Sequence, residues 1–241
     1  MLRTTLPRLH RFAAARFSPE GEFGLHLTIG LALMLAAGWV FGEIAEDVVR
    51  GAPITVLDVA LAHWFHAHAR AGLTQLMLVV TYCHSVPGML ALTLLLGWWL
   101  RRRGESYWLL ALVATVPGGM VLNVLLKLFY RRARPHFDDP LLTLPTYSFP
   151  SGHTVAAALF YGLAACYLVG QARRWPARIA VPFAAWLLVA LVAVSRMYLG
   201  VHYLSDVLAA AAEGCAWLAV CITGISTLRR RRAARAAGGK A

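Results

Sequence analysis

Acidic residues are scarce in this sequence: 11 Asp and Glu stand against 23 Lys and Arg in 241 residues, and charged residues make up only 14%. A soluble domain carries about 25%. Together with 59% apolar residues and a mean hydropathy of +0.62, this shortage excludes an ordinary water-soluble domain and points to an integral membrane protein. Cysteine is also sparse. Cys83, Cys166, Cys215 and Cys221 fall in or near apolar runs and form no CxxC pair, so neither a disulfide framework nor a thiolate metal site is expected. No internal repeat occurs, and the Arg/Ala-rich C-terminal end is the one low-complexity stretch.

What the sequence does have is long apolar runs. A membrane helix needs about 20 predominantly apolar residues, and six stretches qualify: about 25–42, 74–100, 107–127, 154–170, 178–195 and 205–227. Pro87 interrupts the second and Pro182 lies in the fifth, both tolerable inside a span. The first run follows a long basic lead-in without a clear cleavage site, so it reads as a retained anchor rather than a signal peptide. The expected fold is all-α, a six-span bundle over 25–227, between a basic N-terminal tail at 1–24 and a basic C-terminal tail at 228–241.

The net charge of +12 fits nucleic acid or anionic lipid as partner. Its distribution decides for the membrane. Arg3, Arg8, Arg11 and Arg16, then Arg101 to Arg103, then Arg173, Arg174 and Arg178, then Arg229 to Arg232, Arg235 and Lys240 all fall on one side of a six-span chain. By the positive-inside rule that side is the cytoplasm, with both termini there. The first loop, with Glu43, Glu46, Asp47 and Asp58, belongs outside. Within it Leu57, Leu61, Trp64, Phe65 and His68 recur at helical spacing, which predicts an amphipathic helix on the outer surface. His63, His66 and His68 do not share one face of that helix, so they read as interfacial polar residues rather than metal ligands.

The same topology turns loops 127–153 and 196–205 outward. The first of these carries Lys127, Arg131, Arg132 and Arg134 against the positive-inside rule, and a bound anion is one reason for cations there. Lys127, Arg134 and Arg196 suit a polyanion, and arginine grips its oxygens bidentately. Ser151 and Gly152 precede a span, where unpaired N–H groups and the helix dipole favour an anion. The ligand implied is a phosphate. His202 and Asp206 are four apart and share a helical face. An aspartate bonded to Nδ1–H leaves Nε2 free as a nucleophile, and His153 supplies a general acid and base. Taken singly these residues have plain readings: Arg196 snorkels, Ser-Gly starts a helix, Asp206 ends one. Arg131 and Arg132 read as flanking cations, with Arg132 a candidate contact for a second phosphate. Glu213 lies two turns below Asp206 with no assignable partner.

Lys127-x6-Arg134-Pro135, Pro150-Ser151-Gly152-His153 and Ser195-Arg196-x5-His202-x3-Asp206 together resemble the three-part signature of the type 2 phosphatidic acid phosphatase family, shared with vanadium haloperoxidases and glucose-6-phosphatase. Order and spacings match over roughly residues 25–227. The resemblance implies His202 as nucleophile, Asp206 as its orienting partner, His153 as acid then base, and Lys127, Arg134, Ser151, Gly152 and Arg196 as the phosphate cradle, without a metal or other cofactor. It implies a multi-pass lipid phosphatase of the bacterial cytoplasmic membrane with its site on the extracytoplasmic face. The partner is a membrane lipid phosphate and not nucleic acid. Compact six-span members often resemble recyclers of undecaprenyl diphosphate, the substrate expected first. Phosphatidylglycerol phosphate, phosphatidic acid and lipid A phosphate follow. A protein that only binds or transports anionic lipid would need the cations but no nucleophile–acid pair.

Overall fold

The computed structural model describes residues 24–238. The N-terminal arginines Arg3, Arg8, Arg11 and Arg16, and Lys240, lie outside the described residues. Among the described residues eight helices follow one another: α1 (Leu25–Arg50), α2 (Pro53–Ala67), α3 (Ala71–Cys83), α4 (Val86–Arg102), α5 (Ser106–Tyr130), α6 (Gly152–Gln171), α7 (Trp175–Tyr198) and α8 (Leu204–Gly238). Helices satisfy their own backbone groups, which is what lipid demands of a spanning segment. Five of them (α1, α5, α6, α7 and α8) are long and apolar enough to cross a membrane, and the bent pair α3/α4 makes a sixth crossing if it counts as one span.

Two boundaries differ from the sequence reading for identifiable reasons. The second apolar run is not one helix around a tolerated proline. It breaks at His84 and Ser85 with a bend of 52°. Pro87 sits in the first turn of the new helix, where its missing N–H costs nothing. At the far end, α8 runs on through Arg229 to Arg232 and Arg235 without a break, because arginine and alanine are both strong helix formers. At 35 residues and about 1.5 Å per residue, it outreaches an apolar layer of about 30 Å. Within the expected tail, residues 228–238 continue α8 as helix.

Helix α6 is the hub. It packs against α5, α7 and α8, and Val155, Leu159 and Leu163 on it are almost wholly buried together with Leu112 and Val116 of α5. Close approach to α8 relies on small residues: a Cβ on Gly214 would come within 2.7 Å of the Ala158 Cβ. Helix α1 lies along α8.

Helix α2 is amphipathic in an inverted sense. Val56, Leu57, Val59 and Trp64 are exposed, while Asp58 and Ala62 are buried against the protein. A greasy outer face suits a helix lying in a membrane interface. His66 pairs with Asp139 at 2.9 Å and stacks on Phe137. His63 meets Phe137 edge-on.

Candidate active site

The C-terminal ends of α5 and α7 and the N-terminal ends of α6 and α8 converge at one end of the bundle, and the segment 131–151 folds over them. Helix α5 stops at Arg131, whose φ of 49° is left-handed, an uncommon conformation for a residue with a side chain. That turn follows Lys127 by one helical turn and sends Arg132 and Arg134 back across the bundle end. Between α7 and α8 the chain reverses at Gly200, with φ +69°, where a Cβ would stand 3.0 Å from the Phe137 ring.

Asp206 begins α8 in two senses. It is the third helical residue, and its Oδ2 accepts the N–H of Tyr203, just before the helix, at 2.8 Å, the carboxylate half of a capping box. The same oxygen lies 3.3 Å from His202 Nδ1 and accepts the Ser148 hydroxyl proton. On the other side of the imidazole, Arg134 Nη1 is 3.1 Å from Nε2. Arginine only donates, so Nε2 carries the lone pair and Nδ1 the proton. His202 is 2% exposed. Burial, the largest influence, pushes its pKa down to about 3 against the pull of Asp206, so the ring is neutral at ordinary pH.

Lys127 and Arg134 are fixed largely by backbone. The lysine Nζ donates to the carbonyls of Tyr147 (2.9 Å) and Ser148 (3.2 Å). The Arg134 guanidinium donates to the carbonyls of Thr146, Val201 and Tyr147 and to the Thr146 hydroxyl. Arg196 differs. Its side chain is fully buried, Nη1 donates to Thr81 at 2.6 Å, and Nε and Nη2 have no partner among the described residues. Ser151 is the N-cap of α6, but its own N–H is taken by the Asp206 carbonyl at 3.1 Å, so the first-turn amides left for a ligand start at Gly152. A Cβ on Gly152 would lie 3.2 Å from Asn123 Oδ1 and 3.7 Å from Lys127 Cε. That side chain would narrow the floor of the site.

Lys127, Arg134, Gly152, His153 and His202 line one cavity of about 570 Å3. An apolar arm runs between α4 and α5 past Val86, Met89, Leu90, Val116, Met120 and Val124. Cations at one end and hydrocarbon along the other is a shape for an amphiphile.

Arg132 is placed otherwise than expected. It does not line the cavity. Its guanidinium is turned to the far side of Asp206, with Nη1 2.6 Å from Asp206 Oδ1 and Nη2 2.8 Å from Asp58 Oδ2. Burial works against its charge, yet the two carboxylates outweigh that and raise its pKa. A side chain bound to two buried carboxylates is not available to a second phosphate. Arg131 folds back on the end of α5, donating to the Leu128 carbonyl. Glu213, unpartnered in the sequence reading, accepts from Asn123 Nδ2 at 3.0 Å.

Four contributors lie outside the three motifs. Asp58 and Ser148 hold the Arg132–Asp206 side. Thr81 holds Arg196, and His84, at the helix break, lines the cavity beside His153 while its ring bonds Tyr161 at 2.8 Å. None stands at a fixed spacing from a motif residue. The one signal available was the lone carboxylate of Asp58 inside an otherwise apolar helix.

Residues 105–230 match the PAP2 superfamily. Phosphatidylglycerophosphatase B of Bacillus subtilis (strain 168) is 32% identical over 149 residues, spanning 56% of this chain and 67% of that protein. Among solved structures, the transmembrane PAP2-type phosphatidylglycerolphosphate phosphatase from Bacillus subtilis superposes with a TM-score of 0.66 at 26% identity, covering 80% of this chain and 93% of that one. LpxE of Aquifex aeolicus shares the fold at a TM-score of 0.53 and 22% identity, over 72% of this chain and 95% of that one. With the match extending over more than half its length, this multi-pass membrane protein belongs to the PAP2 superfamily, as a membrane phosphatase acting on lipid phosphates.

Proposed function

We propose that the chain hydrolyses the terminal phosphate of phosphatidylglycerophosphate through a phosphohistidine. The observation that carries the chemistry is the pairing of a neutral, tautomer-fixed His202 with the unpartnered donors of Arg196 close to a cationic cavity. In this reading the phosphoryl group sits among Lys127, Arg134, Arg196 and the α6 N-terminus. Its oxygens take over the Arg134 hydrogen bond that Nε2 holds, which frees the lone pair. Nε2 attacks phosphorus and the P–O bond to the lipid breaks in line, while His153 gives its proton to the leaving oxygen. His153 then takes a proton from water, the water oxygen attacks phosphorus, the P–N bond breaks, and inorganic phosphate leaves. Asp206 holds Nδ1–H throughout, and the cations stabilise the charge that builds on the phosphoryl oxygens.

The lipid tail is read into the apolar arm of the cavity between α4 and α5. Orientation is read from the arginines: Arg101, Arg102, Arg103, Arg173, Arg174 and Arg229 to Arg232 gather at the opposite helix ends, which supports a site on the extracytoplasmic face. Undecaprenyl diphosphate, preferred from the resemblance alone, has less behind it. The similar proteins include phosphatidylglycerophosphatases, and Arg132 is not free for a second phosphate. Phosphate release from phosphatidylglycerophosphate, undecaprenyl diphosphate, phosphatidate and a lipid A phosphate, each in detergent micelles, tests the choice. The first should be turned over fastest. A preference for the diphosphate would return the assignment to the polyprenyl carrier, and binding without turnover of any lipid would make the chain a lipid-binding protein.

A further inference from the structure

We propose that Asp58 and Arg132 are a positioning pair that aims the Asp206 carboxylate at His202, so that the surface helix α2 belongs to the working site. The proposal rests on reading His202 as the nucleophile.

Asp58 is fully buried although its helix turns apolar residues outward. Its Oδ1 accepts the Ser205 N–H at 2.9 Å, and its Oδ2 accepts the Ser205 hydroxyl at 2.5 Å and Arg132 Nη2 at 2.8 Å. Helix α2 thus caps the start of α8 from outside, with a carboxylate where the helix dipole favours one. Arg132 spans the gap between the two aspartates. Its Nη1 donates to Asp206 Oδ1 and to the Ser205 hydroxyl at 2.7 Å. Its guanidinium lies 4.3 Å from the centre of the Tyr203 ring, and its carbonyl accepts the Ser148 N–H at 2.8 Å. Ser148 is itself a donor to Asp206 Oδ2.

The geometry has a consequence for the carboxylate. With Oδ1 pinned by Arg132, a rotation that would carry Oδ2 off His202 breaks a short ion pair. The charges point the same way. Asp206 and Asp58 bring two negative charges to one guanidinium, so one remains to stabilise the imidazolium character that His202 acquires when phosphorylated. Neutralising Asp58 leaves Arg132 and Asp206 to cancel each other, and His202 loses that support.

The test uses the full chain purified in detergent, with phosphatidylglycerophosphate in mixed micelles as the probe. Asp58→Asn, close to isosteric, should lower kcat by about 10- to 100-fold, the size of loss seen when a partner behind a metal-ligating histidine is removed. KM should stay within about two-fold, because in this account no group that touches substrate has moved. The burst of phosphoenzyme should slow in step with kcat. Asp58→Glu, which keeps the charge, should recover a substantial part of the loss. Should Asp58→Asn fail to fold, Ser205→Ala removes only the hydroxyl between Arg132 and Asp58 and should lower kcat several-fold at unchanged KM. A full kcat in Asp58→Asn or Ser205→Ala, or a loss appearing in KM alone, overturns the proposal. His202→Ala separates the two layers. If it is inactive while Asp58→Asn matches wild type, only the positioning role fails; if it keeps turning over, the nucleophile assignment fails and takes this one with it.

Discussion

Two arginines near the His202–Asp206 pair are treated in opposite ways. Arg132 is matched: both ends of its fork meet carboxylates, and a ring lies over its face. Arg196 is fully buried, more deeply than Arg132, yet gives one N–H to Thr81 and leaves Nε and Nη2 without partners among the described residues. A buried donor without a partner costs about 1–3 kcal/mol, more when charged. A fold keeps such a group when something other than stability uses it. Asp206 stands at the border between a neutralised network that holds the aspartate and a cavity lined by Lys127 and Arg134.

Experiments on either side break or sharpen that contrast. The largest effect belongs to the cavity. His153→Ala should lower kcat by about 10²- to 10⁴-fold, the usual worth of a general acid–base, while the melting temperature in detergent barely changes. Retained activity would remove His153 from the mechanism. Arg132→Gln acts on the other side and is a stability experiment first. It leaves Asp58 and Asp206 buried without their cation, a loss that costs about 3–5 kcal/mol, so thermal unfolding should shift down by several degrees. Arg196→Gln should do the reverse: kcat/KM falls by roughly 10²-fold, as for a missing transition-state donor, and the melting temperature holds or rises. If both arginine variants lose stability alike, the contrast is void.

The smallest effect is on pH. His202 stays neutral in the fold down to about 3, whereas its ordinary value is 6.5. Between those values the unfolded chain binds a proton that the folded chain refuses. Stability from this group is therefore complete above about pH 6.5 and drains away as pH falls towards 3. His202→Gln should show a flatter melting-temperature profile across that window, and a profile identical to wild type would contradict the neutral ring.

Much of the matched side was invisible in the sequence, and much of the cavity side was not. Lys127, Arg134, His153, Arg196, His202 and Asp206 stand out because the proposed phosphate chemistry calls for those residue types at helix ends. Five spans were legible from hydropathy alone. Asp58 was not, because its partners are 74 and 147 residues away and its own helix reads as a surface element. Arg132 was legible as a cation, but a cation's partner is a fact of tertiary structure. The break at His84 looked like a tolerated Pro87 because hydropathy averages across a bend. The length of α8 was hidden because arginine ends an apolar window without ending a helix.

The central claim is that His202 takes the phosphoryl group, and rapid-quench labelling tests it most directly. Enzyme mixed with lipid labelled with ³²P in the terminal phosphate should carry a protein-bound label that is lost in acid and stable in base, as a P–N bond is. It should rise and decay within the turnover time and be absent from His202→Ala. A wild-type enzyme that turns over without ever holding label, or a His202→Ala variant that is still labelled, would contradict the account.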